Sequence, residues 1–335
     1  MNLKLTYAGK TNTGLVRTGN EDSFKIDGDC NLFIVCDGMG GHQAGEVASS
    51  DACETITYCF SELALDINEN EVLNLKENLS PAADLLVKSI RIANRSIYMR
   101  SRSNSALTGM GTTIVAAVFE DDFIHIAHVG DSRAYLMTDN ALTRLTVDHS
   151  WVSEMQAAGQ ISEEKASKMV AKNVITRALG VNEKTEIDIR SSRVEAGKTY
   201  ILCTDGLCGF ADDDEILLAA MQARGDIDEI VKNLVQLAND HGGQDNVTVV
   251  AIRVDEVGDQ SAREPMDVIT VPKESDEALM AENRIVDSII DLKEKSREKE
   301  KSKPKPKSSN IPLFIIFAIF IIIAAVFIYF NSGAD

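Results

Sequence analysis

Apolar residues in this chain come in short runs separated by Gly, Asp and Asn, and several of these runs are divided by stretches with a helical rhythm. The runs read as strands at 32–36, 112–119, 123–129, 134–137, 199–203 and 246–254. The 3.6-residue rhythm predicts helices at 45–60, 81–101, 150–158, 162–171, 212–223 and 227–241. The turn Gly130-Asp131-Ser132-Arg133 is short enough to pair 123–129 with 134–137 antiparallel. A mixed protein built on antiparallel sheets is the expectation for 1–255.

The pattern changes at residue 256. Strand signals give way to charged residues and to Pro304 and Pro306, so 256–310 reads as a charged linker. Within it, 277–293 sets Ile285, Ile289 and Leu292 on one helical stripe with Val286 and Ile290 beside it. An amphipathic helix, a short coiled coil and a transiently helical tether all fit that stripe. Residues 311–330 are almost wholly apolar and uncharged, and twenty residues at a helical rise match a bilayer core about 30 Å thick. They are expected to form one transmembrane helix followed by the short tail 331–335. Between 293 and 307 stand eight basic and three acidic residues, and the tail has no basic residue. The positive-inside rule then places 1–255 in the cytoplasm, on a cytoplasmic membrane, with basic residues able to touch anionic lipid.

Composition narrows the function. The net charge of −18 argues against a nucleic-acid partner, which would need clustered Lys and Arg. Six cysteines without a Cys-x-x-Cys pair read as reduced core or boundary residues, and Met1 to Lys10 lacks the basic and apolar regions of a secretory signal.

The chemistry is carried by acids at strand ends. Asp37-Gly38 follows one run, Asp205-Gly206 another, Gly130-Asp131 a third, and Asp245-Asn246 opens a fourth; Glu21-Asp22 lies in a polar segment five residues beyond Arg17. Singly, each Asp-Gly pair suits a hairpin turn or a helix cap. Together, converging carboxylates would repel one another and lose hydration unless a cation offsets both costs, and hard divalent ions are the natural candidates.

The ordered set resembles the metal-dependent protein serine/threonine phosphatases, the protein phosphatase 2C-like or PPM family, in its bacterial form. It comprises Arg17 with Glu21-Asp22, Asp37-Gly38-Met39-Gly40-Gly41-His42, Gly111-Thr112-Thr113, Gly130-Asp131-Ser132-Arg133, Thr204-Asp205-Gly206 and Asp245-Asn246-Val247-Thr248. The resemblance covers about 1–255. It implies an α+β fold, a four-layer α-β-β-α sandwich of two antiparallel sheets flanked by helices, with two Mn²⁺ or Mg²⁺ ions in a cleft at one end. By that resemblance Asp37 bridges both ions, the Gly38 carbonyl meets one of them, and Asp205 and Asp245 hold the other. Glu21 and Asp22 would hold waters on the Gly38 side, Asp131 would serve a third, weaker site, and Arg17 would grip the substrate phosphate. Two ions about 3.5 to 4 Å apart can lower the pKa of a shared water and aim it at phosphorus. A planar guanidinium suits two phosphate oxygens; a surface ion pair is the lesser alternative for Arg17.

One departure stands out. Animal members carry a histidine after the Asp-Gly pair, where this chain has Met39, so the acid for the leaving group is open; His42 is a candidate, as is a structural role for it. The resemblance also makes 148–180 a flap beside the site, with Trp151 packing it or meeting substrate. Arg133 is expected to pair with a carboxylate, and Asn246 to orient Asp245. The expected activity is hydrolysis of phosphoserine and phosphothreonine on proteins, opposing a serine/threonine kinase at the membrane. A binding scaffold that has lost turnover, and a narrow enzyme for one signalling regulator, are the alternatives.

Overall fold

The computed structural model describes residues 3–41, 44–68, 79–161 and 174–302, with side chains described as far as residue 291. One sheet has strand order β1-β11-β10-β7-β8 and the other β12-β9-β6-β5-β3-β2. The strands of the first are β1 (Lys4–Asn12), β7 (Arg133–Met137), β8 (Leu142–Arg144), β10 (Thr199–Cys203) and β11 (Val247–Glu256). Those of the second are β2 (Asp22–Asp27), β3 (Leu32–Met39), β5 (Ile114–Glu120), β6 (Phe123–Val129), β9 (Ile187–Arg193) and β12 (Met266–Val271), with β4 (Gly111–Thr112) added to β3.

Every strand pairing is antiparallel. The inner faces meet through edge-to-face contacts that run Tyr7, Phe33, Phe119, Tyr200, alternating between the sheets at both ends of the row. Helices α1 (Ala44–Ser61) and α3 (Pro81–Ser103) bury Ile56, Leu86, Ile90 and Ile97 with Ile34, Ala116 and Val129 of the second sheet. Helices α6 (Asp213–Met221) and α7 (Ile227–Asp240) bury Ile216, Ile230 and Leu234 with Ile201 and Val249 of the first. Four layers in the order α-β-β-α result, as expected.

Local chemistry sets the helix starts. Ser80 caps α3, its hydroxyl accepting from Ala83 N, with Pro81 in the first turn and Arg100 and Arg102 in the last. A reciprocal capping box between Asp212 and Glu215 opens α6. The described residues also include the short helices α2 (Ala64–Asn68), α4 (Trp151–Ala157) and α5 (Asp205–Cys208).

Two expectations are corrected. Strands β6 and β7 do not pair: β6 lies between β5 and β9, and β7 between β10 and β8, so the Gly130–Ser132 turn carries the chain from one sheet to the other. A short turn between two apolar runs looks the same in sequence whether it closes a hairpin or crosses a sandwich. The second correction is that strands continue past 256. Strand β12 lengthens the second sheet against β9, and helix α8 (Asp276–Ser302) follows with Ala278, Glu282 and Val286 buried. The compact unit that holds both sheets runs to Asp287. Alternation in 266–271 is weak, because an edge strand has half-exposed faces.

No helix of the described residues is long and apolar enough to cross a membrane; the run 311–330 lies outside them, as does the helix expected at 162–171.

Candidate metal centre

Antiparallel pairing brings the acids together. A strand that ends at one edge of such a sheet adjoins one that begins there. Asp37 near the end of β3 therefore stands opposite Asp22 at the start of β2, and β6, two strands away, delivers Asp131 to the same edge. In the other sheet Asp205 follows β10 and Asp245 precedes β11, again at one edge. Stacking the sheets closes the two edges around a cleft of about 360 Å³ lined by Arg17, Asp37, Gly38, Asp131, Asp205 and Asp245, with Glu21 and Asn246 at its side.

Asp37 is held by its main chain. Its N–H donates to Thr113 Oγ1 at 3.0 Å and its carbonyl accepts from Thr112 Oγ1 and Thr113 N, both at 2.8 Å. Gly38 donates to the Glu21 carbonyl, and any Cβ at this position would land on the carbonyl oxygens of Gly45 and Glu21. Only glycine lets β3 pass this close to the start of α1. Asn246 staples the approach loop: its amide donates to the carbonyls of Thr13 and Gly19, and its Oδ1 accepts from Glu21 N. Its backbone N–H, not its side chain, donates to Asp245 Oδ1 at 2.8 Å.

Asp22 reaches the cleft from behind. It is buried between the sheets, with Oδ2 accepting from Thr204 Oγ1 at 2.9 Å and Thr248 Oγ1 at 2.7 Å, while Oδ1 has no hydrogen-bond partner. Neither threonine stands out in the sequence as a functional group, although Thr204 adjoins Asp205 and Thr248 lies three residues beyond Asp245. A hydroxyl that anchors a carboxylate from another strand has no local signature. Glu21 lies against Gly45, on the Gly38 side.

Without a cation this cluster resists ionisation. Burial, then the charges of Asp22 and Asp205, pushes Asp37 far above the usual carboxylate range. Burial also lifts Asp205 and Glu21, and raises Asp22 and Asp131 to about 7. The Asp205 Oδ1 atom, like Asp22 Oδ1, is buried without a partner. Orphaned carboxylate oxygens and an all-oxygen donor set fit hard divalent ions such as Mn²⁺ or Mg²⁺. Arg17 donates to Asp245 Oδ2 at 2.9 Å and is 52% exposed, so it stands at the mouth of the cleft with a carboxylate as its present partner.

Met39 lines the cleft beside Gly38, whereas His42 lies outside the described residues. Arg133 makes the expected ion pair, with two bonds to Asp148 at 3.0 and 2.8 Å. Trp151 is 37% exposed at the start of α4, and its backbone N–H donates to the carbonyl of Val174 on the returning limb of the expected flap, whose Ile175 lines the cleft. All six cysteines are free thiols, five of them buried.

His128, His149 and Asp188 also lie close enough together to share an ion. They are satisfied without one. Asp188 accepts from Arg177 at 3.1 Å and Thr270 at 2.7 Å, and a guanidinium at that distance disfavours a second cation.

A family model described as Protein phosphatase 2C matches residues 16–247. The serine/threonine phosphatase Stp of Listeria monocytogenes is 35% identical over 249 residues, covering 73% of this chain and 94% of its own. The crystal structure of the Mycobacterium tuberculosis serine/threonine phosphatase PstP/Ppp superposes with a TM-score of 0.66 at 32% identity, covering 76% of this chain and 100% of that one. A structure of the PstP catalytic domain in complex with two manganese ions does so with a TM-score of 0.63 at 33% identity and the same coverage.

Proposed function

The chain belongs to the protein phosphatase 2C family, and on that premise we propose that its cleft hydrolyses phosphoserine and phosphothreonine esters on proteins with Mn²⁺ or Mg²⁺ as cofactor. The observation that carries this reading is the convergence of Asp37, Asp205, Asp245 and Asp131 from both sheets on one solvent-open cleft, with buried carboxylate oxygens left unpaired. Two divalent ions bound there supply an activated water and offset the charge of the phosphate.

The chain's own groups do the rest. Asp37, the Gly38 carbonyl, Asp205 and Asp245 would hold the ions; Asp131 fits a further, weaker position. The half-exposed Arg17 receives the phosphate from solvent, and its fork of donors orients the ester. Met39 offers no proton for the leaving alkoxide. Ile175 and Met39 give the cleft wall an apolar portion.

We further propose that 311–330 anchors the enzyme in the cytoplasmic membrane with its catalytic part inside, where tethering raises its effective concentration near membrane-bound phosphoproteins and an opposing kinase.

The test is Mn²⁺-dependent release of phosphate from a phosphothreonine peptide by the full chain. Cutting at residue 255 would strip β12 from β9. Asp37→Asn should lower turnover by at least about 100-fold, at or beyond what loss of an outer ligand partner costs. A folded chain with no metal-dependent turnover under varied metal and peptide would overturn the reading.

A further inference from the structure

The His128, His149 and Asp188 cluster lies directly behind the turn that carries Asp131. His149 clasps Gly130 on both of its backbone groups: Nδ1 accepts from Gly130 N at 3.1 Å, and the His149 N–H donates to the Gly130 carbonyl at 2.9 Å. Because Nδ1 accepts, the ring proton sits on Nε2, which faces Asp188 Oδ2 at 3.2 Å. Asp188 is fixed in turn by Arg177 and by Thr270 of β12 through its other oxygen.

The residues this pair holds adjoin Asp131 and Ile175 of the cleft. Gly130 has φ +112°, and a Cβ there would press on Thr113, whose hydroxyl pairs with Ser132 and accepts from Asp37 N. The His149 carbonyl accepts from Thr176 N at 2.8 Å, and Ser150 bridges Ile175, so the same residue carries the returning limb of the flap. The His128 ring stacks on His149 at 4.6 Å and binds the Val147 carbonyl, which blocks rotation of His149 from the other face.

We propose that His149, oriented by Asp188, is a positioning residue that sets the Asp131 carboxylate and the flap limb relative to each other. The proposal rests on the placement of Asp131 in the metal centre. It extends control of that turn to Thr270, which lies beyond the family match at 16–247. Replacing Asp188 by Asn presents an N–H₂ either to His149 Nε2–H or to Arg177, and each choice opposes two donors. Relief of the first requires the imidazole proton to move to Nδ1, where it meets the Gly130 N–H.

The experiment is a double-mutant cycle on the full chain with Asp188→Asn and Asp131→Ala. It is read by kcat and KM on a phosphothreonine peptide, by calorimetric titration with Mn²⁺ alone, and by thermal melting. Asp188→Asn is expected to lower kcat about tenfold, as loss of an outer partner does, and to remove the weak Mn²⁺ binding that Asp131 supplies. In the Asp131→Ala background it should change neither further. Equal losses in both backgrounds, or a melting shift without a change in kcat or Mn²⁺ binding, would overturn the proposal. If Asp131→Ala leaves both unchanged, the proposal falls at its premise while the phosphatase reading stands. Should Asp188→Asn not fold, Thr270→Val removes one donor to Asp188 and must show the same non-additivity at smaller size.

Discussion

Asp22 ties the stability of the chain to pH. It is buried opposite Asp37, held by Thr204 and Thr248, and its pKa is pushed up to about 7 by burial and then, against the pull of the two hydroxyls, by Asp205 and Asp245. A group whose folded pKa exceeds its unfolded value of 3.8 contributes stability that is complete below 3.8 and lost as pH rises through about 7. The metal-free chain should therefore melt at a higher temperature at pH 6 than at pH 8, and Asp22→Asn should flatten that slope. Added Mn²⁺ should restore stability at pH 8, because ions replace the protons. Calorimetric melting across this range, with and without chelator, is the check; an unchanged slope in Asp22→Asn would remove Asp22 from the account.

At the scale of elements, α8 docks by an unusual contact. Glu282 is 1% exposed with Oε2 unpartnered, close to Glu274, whose two carboxylate oxygens have no hydrogen-bond partner. Arg91 of α3 approaches Glu274 at 3.7 Å and donates to the Pro272 carbonyl; Arg95 donates to Asn283 and binds Glu183; Lys184 reaches Asp276. Burial, then the Glu274 charge, raises Glu282 from 4.5 to about 8. Its contribution is thus complete below 4.5 and is lost as pH rises through 8. The first turns of α8 should loosen above pH 8, and Glu282→Gln should hold them. Hydrogen exchange of 276–287, corrected for intrinsic rates at pH 7 and 9, tests this; equal protection at both values would refute it.

For the whole molecule, the central contrast is between a compact unit that runs to Asp287 and the basic and apolar sequence that follows. The membrane proposal predicts that full-length chain sediments with membranes and needs detergent for release, whereas a chain ending at Ser302 stays in the supernatant with its Mn²⁺-dependent turnover intact. Full-length protein that remains in the supernatant without detergent would defeat the proposal.

Residue types and local spacing were enough to reveal the acids, the arginine and most inner strands, because a run such as 32–36 is apolar on both faces and leads straight into its Asp. The start of α3 was equally legible, since Ser80 and Pro81 act on their own turn. Strands β1, β2 and β9 were not, as polar and apolar residues mix where one face meets solvent or the cleft. Nor was the partner of β6, because the turn at Gly130–Ser132 contains nothing that distinguishes a hairpin from a crossing between sheets. The threonines behind Asp22 and the clasp of His149 on Gly130 arise only when the sheets stack, through bonds between residues 226 and 19 positions apart in the chain. Short-range patterns encode which groups are available for chemistry. Long-range packing assigns each group its neighbours, and burial by those neighbours sets its charge.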